Sequence, residues 1–148
     1  MRELLKDLVT GIDHIGICVR SMDESAALWS GLLGLAVAHR ECVDAQKTEA
    51  AFIGLSTNDG PSTVELVAPM AGNVGLEKFL DKRGDGLHHL AFAVTDIREA
   101  LRRLDAAGVA LIDKAPRPGA RGHLVAFLHP KAMNGTLVEL VERNGVTS

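Results

Sequence analysis

One half of this sequence is repeated in the other. "HIGICV" at His14–Val19 resembles "HLAFAV" at His89–Val94. "VELV" occurs at Val64–Val67 and again at Val138–Val141, so Glu139 follows Glu65 at almost the interval by which His89 follows His14. Between these strand-like runs lie two helix signatures. The first runs from Ser21 to Gly34 and opens on a capping box, "SMDE". It carries apolar Met22, Ala26, Trp29 and Leu33 on one face, and Gly34 is its stop. The second starts at Thr95, carries Ile97, Leu101 and Leu104 on one face, and stops at Gly108. The interval from cap to glycine is the same in both, and Thr95 follows Ser21 at the interval that separates the two glutamates. Histidine, cap, glycine and glutamate recur in one order at nearly one spacing, so the chain folds as two copies of one unit.

Each copy reads as a strand, a helix and further short strands. In the first the strands are expected at Ile12–Val19, Leu35–Cys42, Glu49–Leu55 and Thr63–Val67. In the second they are expected at Leu87–Val94, Ala110–Asp113, His123–Leu128 and Thr136–Val141. Asn58-Asp59-Gly60-Pro61 and Asn134-Gly135 are strong turn signals between neighbouring strands. A short helix near Leu76–Lys82 bridges the halves. The fold class is therefore α+β: two βαβββ modules, about 10–70 and 86–143, with a linker helix within 72–84, in a single domain spanning 1–148.

Composition excludes several function classes. A net charge of −3 gives no electrostatic case for nucleic acid or an acidic membrane surface, though a local basic pocket for an anionic ligand stays open. There is no apolar run long enough to span a bilayer and no signal-peptide pattern; Met1–Gly11 reads as an amphipathic lead-in. Two cysteines, Cys18 and Cys42, make no disulfide framework and point to reduced thiols in the cytoplasm.

Side chains alternate across a strand. Ile15, Ile17 and Val19 share one face of the first strand, and His14, Gly16 and Cys18 the other. In its repeat Leu90, Phe92 and Val94 face one way, and His89, Ala91 and Ala93 the other. The bulky residues suit packing on a helix, while each histidine shares its face with small residues. A lone histidine or glutamate in such a place is more often an ordinary structural residue. The symmetric quartet reverses that reading, because a buried carboxylate without a partner is costly and is not readily tolerated twice. Two imidazoles and two carboxylates suit a divalent ion such as Co, Ni, Zn, Mn or Mg, with positions left for water or substrate. Alternation sends His88 to the opposite face, as packing or support. His39 is expected to be solvated, and His123 and His129 either pack or reach a substrate.

The βαβββ pair with His…Glu…His…Glu resembles the vicinal-oxygen-chelate superfamily, which includes glyoxalase I, extradiol dioxygenases and antibiotic-resistance binding proteins. Within it the chain most resembles the methylmalonyl-CoA epimerase family, through "IDHIGICV", "GDGLHHLAFAV" and "PRPGARGHLVAFLHPKAMNGTLVELVE", over about residues 12–142. The resemblance implies a cupped, barrel-like sheet around a metal held by His14, Glu65, His89 and Glu139, cobalt foremost. Many family members carry glutamine at the second of these positions, and glutamate occurs too. A further family glutamate, on the third strand, acts as an acid/base; Glu49 in "TEAAFIGL" matches it after a one-residue shift. Val74-Gly75 stands where the family often has Ser-Pro or Ser-Thr, and the chain has no tyrosine.

The implied reaction is inversion at C2 of methylmalonyl-CoA through an enolate, with Glu139 and Glu49 as the acid/base pair. "RPGARGH" and Lys131 supply backbone donors and charge for the CoA phosphates, with Arg117, Gly119, Arg121 and Gly122 as candidate contacts. The implied partners are an acyl-CoA substrate and a second copy of the chain. Two other readings stay open: a glyoxalase I-like lactoylglutathione lyase, and a non-catalytic small-molecule-binding protein of the same fold.

Overall fold

The computed structural model describes residues 3–54 and 63–144. Their elements run β1 (Val9–Cys18), α1 (Met22–Leu33), β2 (Ala36–Val43), β3 (Thr48–Gly54), β4 (Thr63–Pro69), α2 (Val74–Arg83), β5 (Gly86–Val94), α3 (Ile97–Ala106), β6 (Arg117–Pro118), β7 (Leu124–Leu128) and β8 (Val138–Glu142). This is the expected α+β class. The chain divides into two compact units, His14–His88 and Met1–Asp13 with His89–Ser148. The boundary runs through β1, so the second unit takes the first half of that strand.

In the unit His14–His88 the strand order is β2-β3-β4-β1, with β1 parallel to β4 and the other pairs antiparallel. Alternation works as the sequence implies. Ile17, Val19, Ala51, Ile53, Leu66 and Ala68 face α1 and form a core with Met22 and Ala26. Ser21 caps α1 by accepting a hydrogen bond from the Glu24 N–H at 3.3 Å, a contact that stabilises a helix by about 1 kcal/mol. Gly34 ends it in the left-handed region at φ 67°, where a side chain would be strained. Leu33, expected on the buried face, is 61 % exposed: the fully buried residues of α1 all lie in its first half. Asn73 caps α2, and its amide also donates to the Gln46 and Lys47 carbonyls, tying the helix start to the β2–β3 connection. The Asn58–Pro61 turn signal lies outside the described residues.

The other unit repeats the pattern: β5 is parallel to β8, which pairs antiparallel with β7, and β7 with β6. Ile97, Ala100, Leu101 and Leu104 of α3 pack on Val94, Ala126, Leu128, Val138 and Leu140. Burying a leucine or isoleucine of this kind contributes about 1.5–3 kcal/mol. Leu8 of the lead-in joins the same core, and Arg103 fastens the segment by donating to the Leu4 carbonyl and the Asp7 carboxylate. The cap of α3 is Asp96 and not Thr95. Its carboxylate accepts from the Glu99 N–H at 3.0 Å, while the Thr95 N–H is engaged by the Leu8 carbonyl.

The strand expected at Ala110–Asp113 is reduced to one bridge, Leu111 to Leu128. The Asp113 carboxylate accepts from the Phe127 N–H at 2.9 Å, so a side chain takes the place a strand carbonyl would fill. The edge strand forms later, as β6. Asn134 and Gly135 both have positive φ, 54° and 80°, which is what an Asn-Gly turn requires.

Candidate functional site

Strand register decides which side chains meet. In the unit His14–His88, Gly16 pairs with Glu65 and Glu65 with Phe52, so these residues rise from one face of the sheet. His14, two positions before Gly16, rises from that face as well. It is the face away from α1. His14 Nε2 lies 3.3 Å from Glu65 Oε2, with both side chains buried. The Phe52 ring meets the His14 imidazole edge-on, centroids 5.9 Å apart and planes at 87°.

The other unit builds the same arrangement. Ala91 pairs with Glu139 and Glu139 with Phe127, so His89, Glu139 and Phe127 share a face. His89 Nε2 lies 3.7 Å from Glu139 Oε1, again with both side chains buried. The Phe127 ring meets the His89 imidazole edge-on at 5.9 Å and 89°. In both units a small residue, Gly16 or Ala91, stands next to the glutamate and leaves it uncrowded.

The donor set fits a divalent cation. Two ligands each ~2.1 Å from one ion are ~3.0 Å apart at right angles and ~3.4 Å at the tetrahedral angle. The 3.3 Å pair matches and the 3.7 Å pair is within a few tenths of an ångström. The longer separation is also beyond a useful hydrogen bond. Each imidazole therefore presents its Nε2 beside a carboxylate oxygen as two neighbouring ligands would, and the aromatic edge fixes the ring plane.

Glu49 does not join this face. It pairs with Cys42 and Ala68, on the side that packs against α1. There it accepts from Arg40 at 2.7 Å, and Arg40 also bridges to Asp23 of α1. The one-residue shift that the sequence match needed is the physical reason: one step along a strand turns a side chain to the other face. His88 is on the opposite side to His89, as alternation implies, with its ring 5.0 Å from Phe79 and its pKa lowered by burial.

His39, expected in solvent, lies 2.9 Å from Glu41 through Nε2 and 6.3 Å from the Phe52 ring. His123 is buried, and its Nδ1 accepts from the Asn144 N–H. His129 Nδ1 accepts from the Lys131 N–H in the turn after β7. Among the basic residues, Arg117 lies with its guanidinium 5.6 Å over Phe127, on the histidine-bearing face. Arg121 and Gly122 take left-handed conformations, and a side chain at Gly119 would meet Val125 at 2.7 Å.

Phe52 and Phe127 are the site residues that sequence reasoning missed. Phe127 follows Phe52 at the same offset by which His89 follows His14, so the signal was present. Glu41 pairs across β2–β3 with Ala50, which places it on the Phe52 face beside His39.

Residues 13–127 match the model of the Glyoxalase/Bleomycin resistance protein/Dioxygenase superfamily. The chain is 35% identical over 133 residues to the mitochondrial methylmalonyl-CoA epimerase of Dictyostelium discoideum, covering 89% of this chain and 78% of that protein. It is similar to the crystal structure of methylmalonyl-CoA epimerase from Mycobacterium tuberculosis, with a TM-score of 0.86 and 35% identity over 97% of this chain and 93% of that one. A methylmalonyl-CoA epimerase solved in complex with methylmalonyl-CoA and NH4+ gives a TM-score of 0.86 at 32% identity, covering 95% of this chain and 99% of that one. The duplicated βαβββ unit with its paired His and Glu, and these matches, show that the chain belongs to the Glyoxalase/Bleomycin resistance protein/Dioxygenase superfamily.

Proposed function

We propose that this protein interconverts the epimers of methylmalonyl-CoA at C2, with one divalent metal ion shared by His14, Glu65, His89 and Glu139. The observation that carries the reading is the His–Glu–Phe arrangement built twice with nearly the same geometry. The likeness to epimerases, one of them solved with this thioester, supplies the substrate.

C2 of the substrate stands between a thioester and a carboxylate, so loss of its proton leaves a delocalised enolate. A divalent ion in this donor set supplies positive charge where the enolate oxygen develops its negative charge. His14 and His89, with the Phe52 and Phe127 rings edge-on to them, serve as nitrogen donors. Glu139 takes or returns the C2 proton on one face of the planar intermediate. Inversion requires a second acid/base on the other face, since a single base returns the proton to the side it came from.

For the CoA phosphates we assign the Gly119–Gly122 turn with Arg121 and Lys131. Arg117, stacked on Phe127, is assigned closer to the reacting end. Cobalt is the metal we favour, the cytoplasm the compartment and a homodimer the assembly. Two free cysteines, one of them exposed, support the second assignment. Exposed Leu28, Leu32 and Leu33 on α1 support a surface for self-association. Among the described residues no helix is long and apolar enough to cross a membrane.

The test is proton exchange in heavy water. Metal-loaded protein is given methylmalonyl-CoA or the glutathione hemithioacetal of methylglyoxal. Deuterium uptake at C2 with loss of stereochemistry is the expected result. Conversion of the hemithioacetal alone shows a glyoxalase, and no reaction with either shows a binding protein.

A further inference from the structure

Within the unit that carries His89–Ser148, Arg117 stands against the same aromatic ring as His89. The β6–β7 register pairs Arg117 with Val125, two positions before Phe127, so Arg117 and Phe127 rise from one face. The guanidinium carbon lies 5.6 Å over the Phe127 centroid, and the His89 imidazole lies 5.9 Å from that ring. The fork is held without being saturated. Its Nε is buried and has no hydrogen-bond acceptor among the described residues. Asp113 Oδ1 stands 3.5 Å from that nitrogen, too far for a useful hydrogen bond, and Asp113 Oδ2 is engaged by the Phe127 N–H at 2.9 Å. The Arg117 side chain is 40 % exposed, which leaves it reachable by a ligand.

We propose that Arg117 reads the free carboxylate of the acyl group, and so selects a 2-carboxyacyl thioester over a plain acyl thioester; this deepens the epimerase reading above and rests on it. A planar guanidinium matches a carboxylate with two parallel charge-assisted N–H···O bonds, and stacking on Phe127 fixes the plane in which they form. An acyl group whose reacting carbon lies beside His89 and Glu139 carries that carboxylate one bond further on. Loss of the C2 proton adds a second negative charge to the acyl group, and the guanidinium offsets part of it. A CoA phosphate is the competing ligand for an arginine. It lies the whole pantetheine arm away from C2, whereas Arg117 shares its ring with His89.

The experiment compares metal-loaded wild type, Arg117→Gln and Arg117→Lys on methylmalonyl-CoA and on methylmalonyl-N-acetylcysteamine, a thioester with no phosphate. Propionyl-CoA, which lacks the C2 carboxylate, serves as a competitive inhibitor, and bound metal is measured by elemental analysis. Arg117→Gln is expected to keep its metal and to lose kcat/KM by ~10–100-fold on both thioesters, while the inhibition constant of propionyl-CoA stays within about three-fold. Arg117→Lys keeps the charge without the fork, and its kcat/KM is expected between those of wild type and Arg117→Gln.

A loss on methylmalonyl-CoA that vanishes on the short thioester shows a phosphate contact and overturns the assignment. A propionyl-CoA constant that rises as far as kcat/KM falls overturns it too, because the residue then supports the pocket and not the carboxylate. If Arg117→Gln loses its metal, Arg117→Lys decides by the same two comparisons. Arg117→Gln as active as wild type on both thioesters overturns this assignment and leaves the epimerase reading intact. Wild type that inverts neither thioester overturns the epimerase reading, and this one with it.

Discussion

Removing the proposed metal should cost the protein a measurable share of its thermal stability, and the size follows from the chain length and a metal supplied at 100 times its Kd. Glu65 and Glu139 are 8 % and 5 % exposed, each facing an imidazole nitrogen at 3.3 or 3.7 Å. Such carboxylates are more stable beside a bound cation than without one. A ligand present at 100 times its Kd stabilises the folded state by about 2.7 kcal/mol. With 148 residues, the unfolding entropy is about 0.3 kcal/mol per degree, so chelation should lower the midpoint by about 9 °C. Glu65→Ala removes one of the four proposed ligands. If affinity falls ~100-fold, the same metal concentration gives only about 0.4 kcal/mol, or about 1 °C. The assay is calorimetry with chelator and then with Co, Ni, Zn, Mn or Mg added in turn. A midpoint that none of the five ions raises, or a Glu65→Ala protein that gains as much as wild type, refutes the reasoning.

Leu101→Ala, at a position 1 % exposed in the core under α3, should lower stability by about 2–5 kcal/mol in urea unfolding; a loss under ~1 kcal/mol contradicts the packing described. Cys42 should alkylate readily in the native protein and Cys18 only on unfolding, because burial pushes the Cys18 thiol up to about 11. Its folded pKa lies above the ordinary 9.0, so its contribution to stability is full below pH 9 and is lost as pH rises through about 11. Cys18→Ala should flatten that alkaline decline, as read from urea midpoints between pH 8 and 11; an unchanged slope counts against the burial argument.

The repeat made much of this molecule legible. His14 and His89, Glu65 and Glu139, and the Ser21 and Gly34 ends of α1 were all readable from spacing and alternation, because each rests on local geometry. What failed rested on interactions distant in sequence. Asp113 turning its side chain to the Phe127 N–H dissolved an expected strand. The Thr95 N–H donates to the Leu8 carbonyl, and the cap of α3 is Asp96, one residue on. Glu49 came from a sequence match displaced by one residue, and the structure places it on the α1 face, where it accepts from Arg40.

We propose that His14, Glu65, His89 and Glu139 share one divalent ion, and metal stoichiometry tests this most directly. The direct measurement is metal stoichiometry by elemental analysis after saturation and desalting, on wild type, His14→Ala, His89→Ala and His88→Ala, each verified as folded. One ion per chain is expected for wild type and for His88→Ala, and near zero for both His14→Ala and His89→Ala. Two ions per wild-type chain, falling to one when either His14 or His89 is replaced, would show that each pair binds its own metal and contradict it.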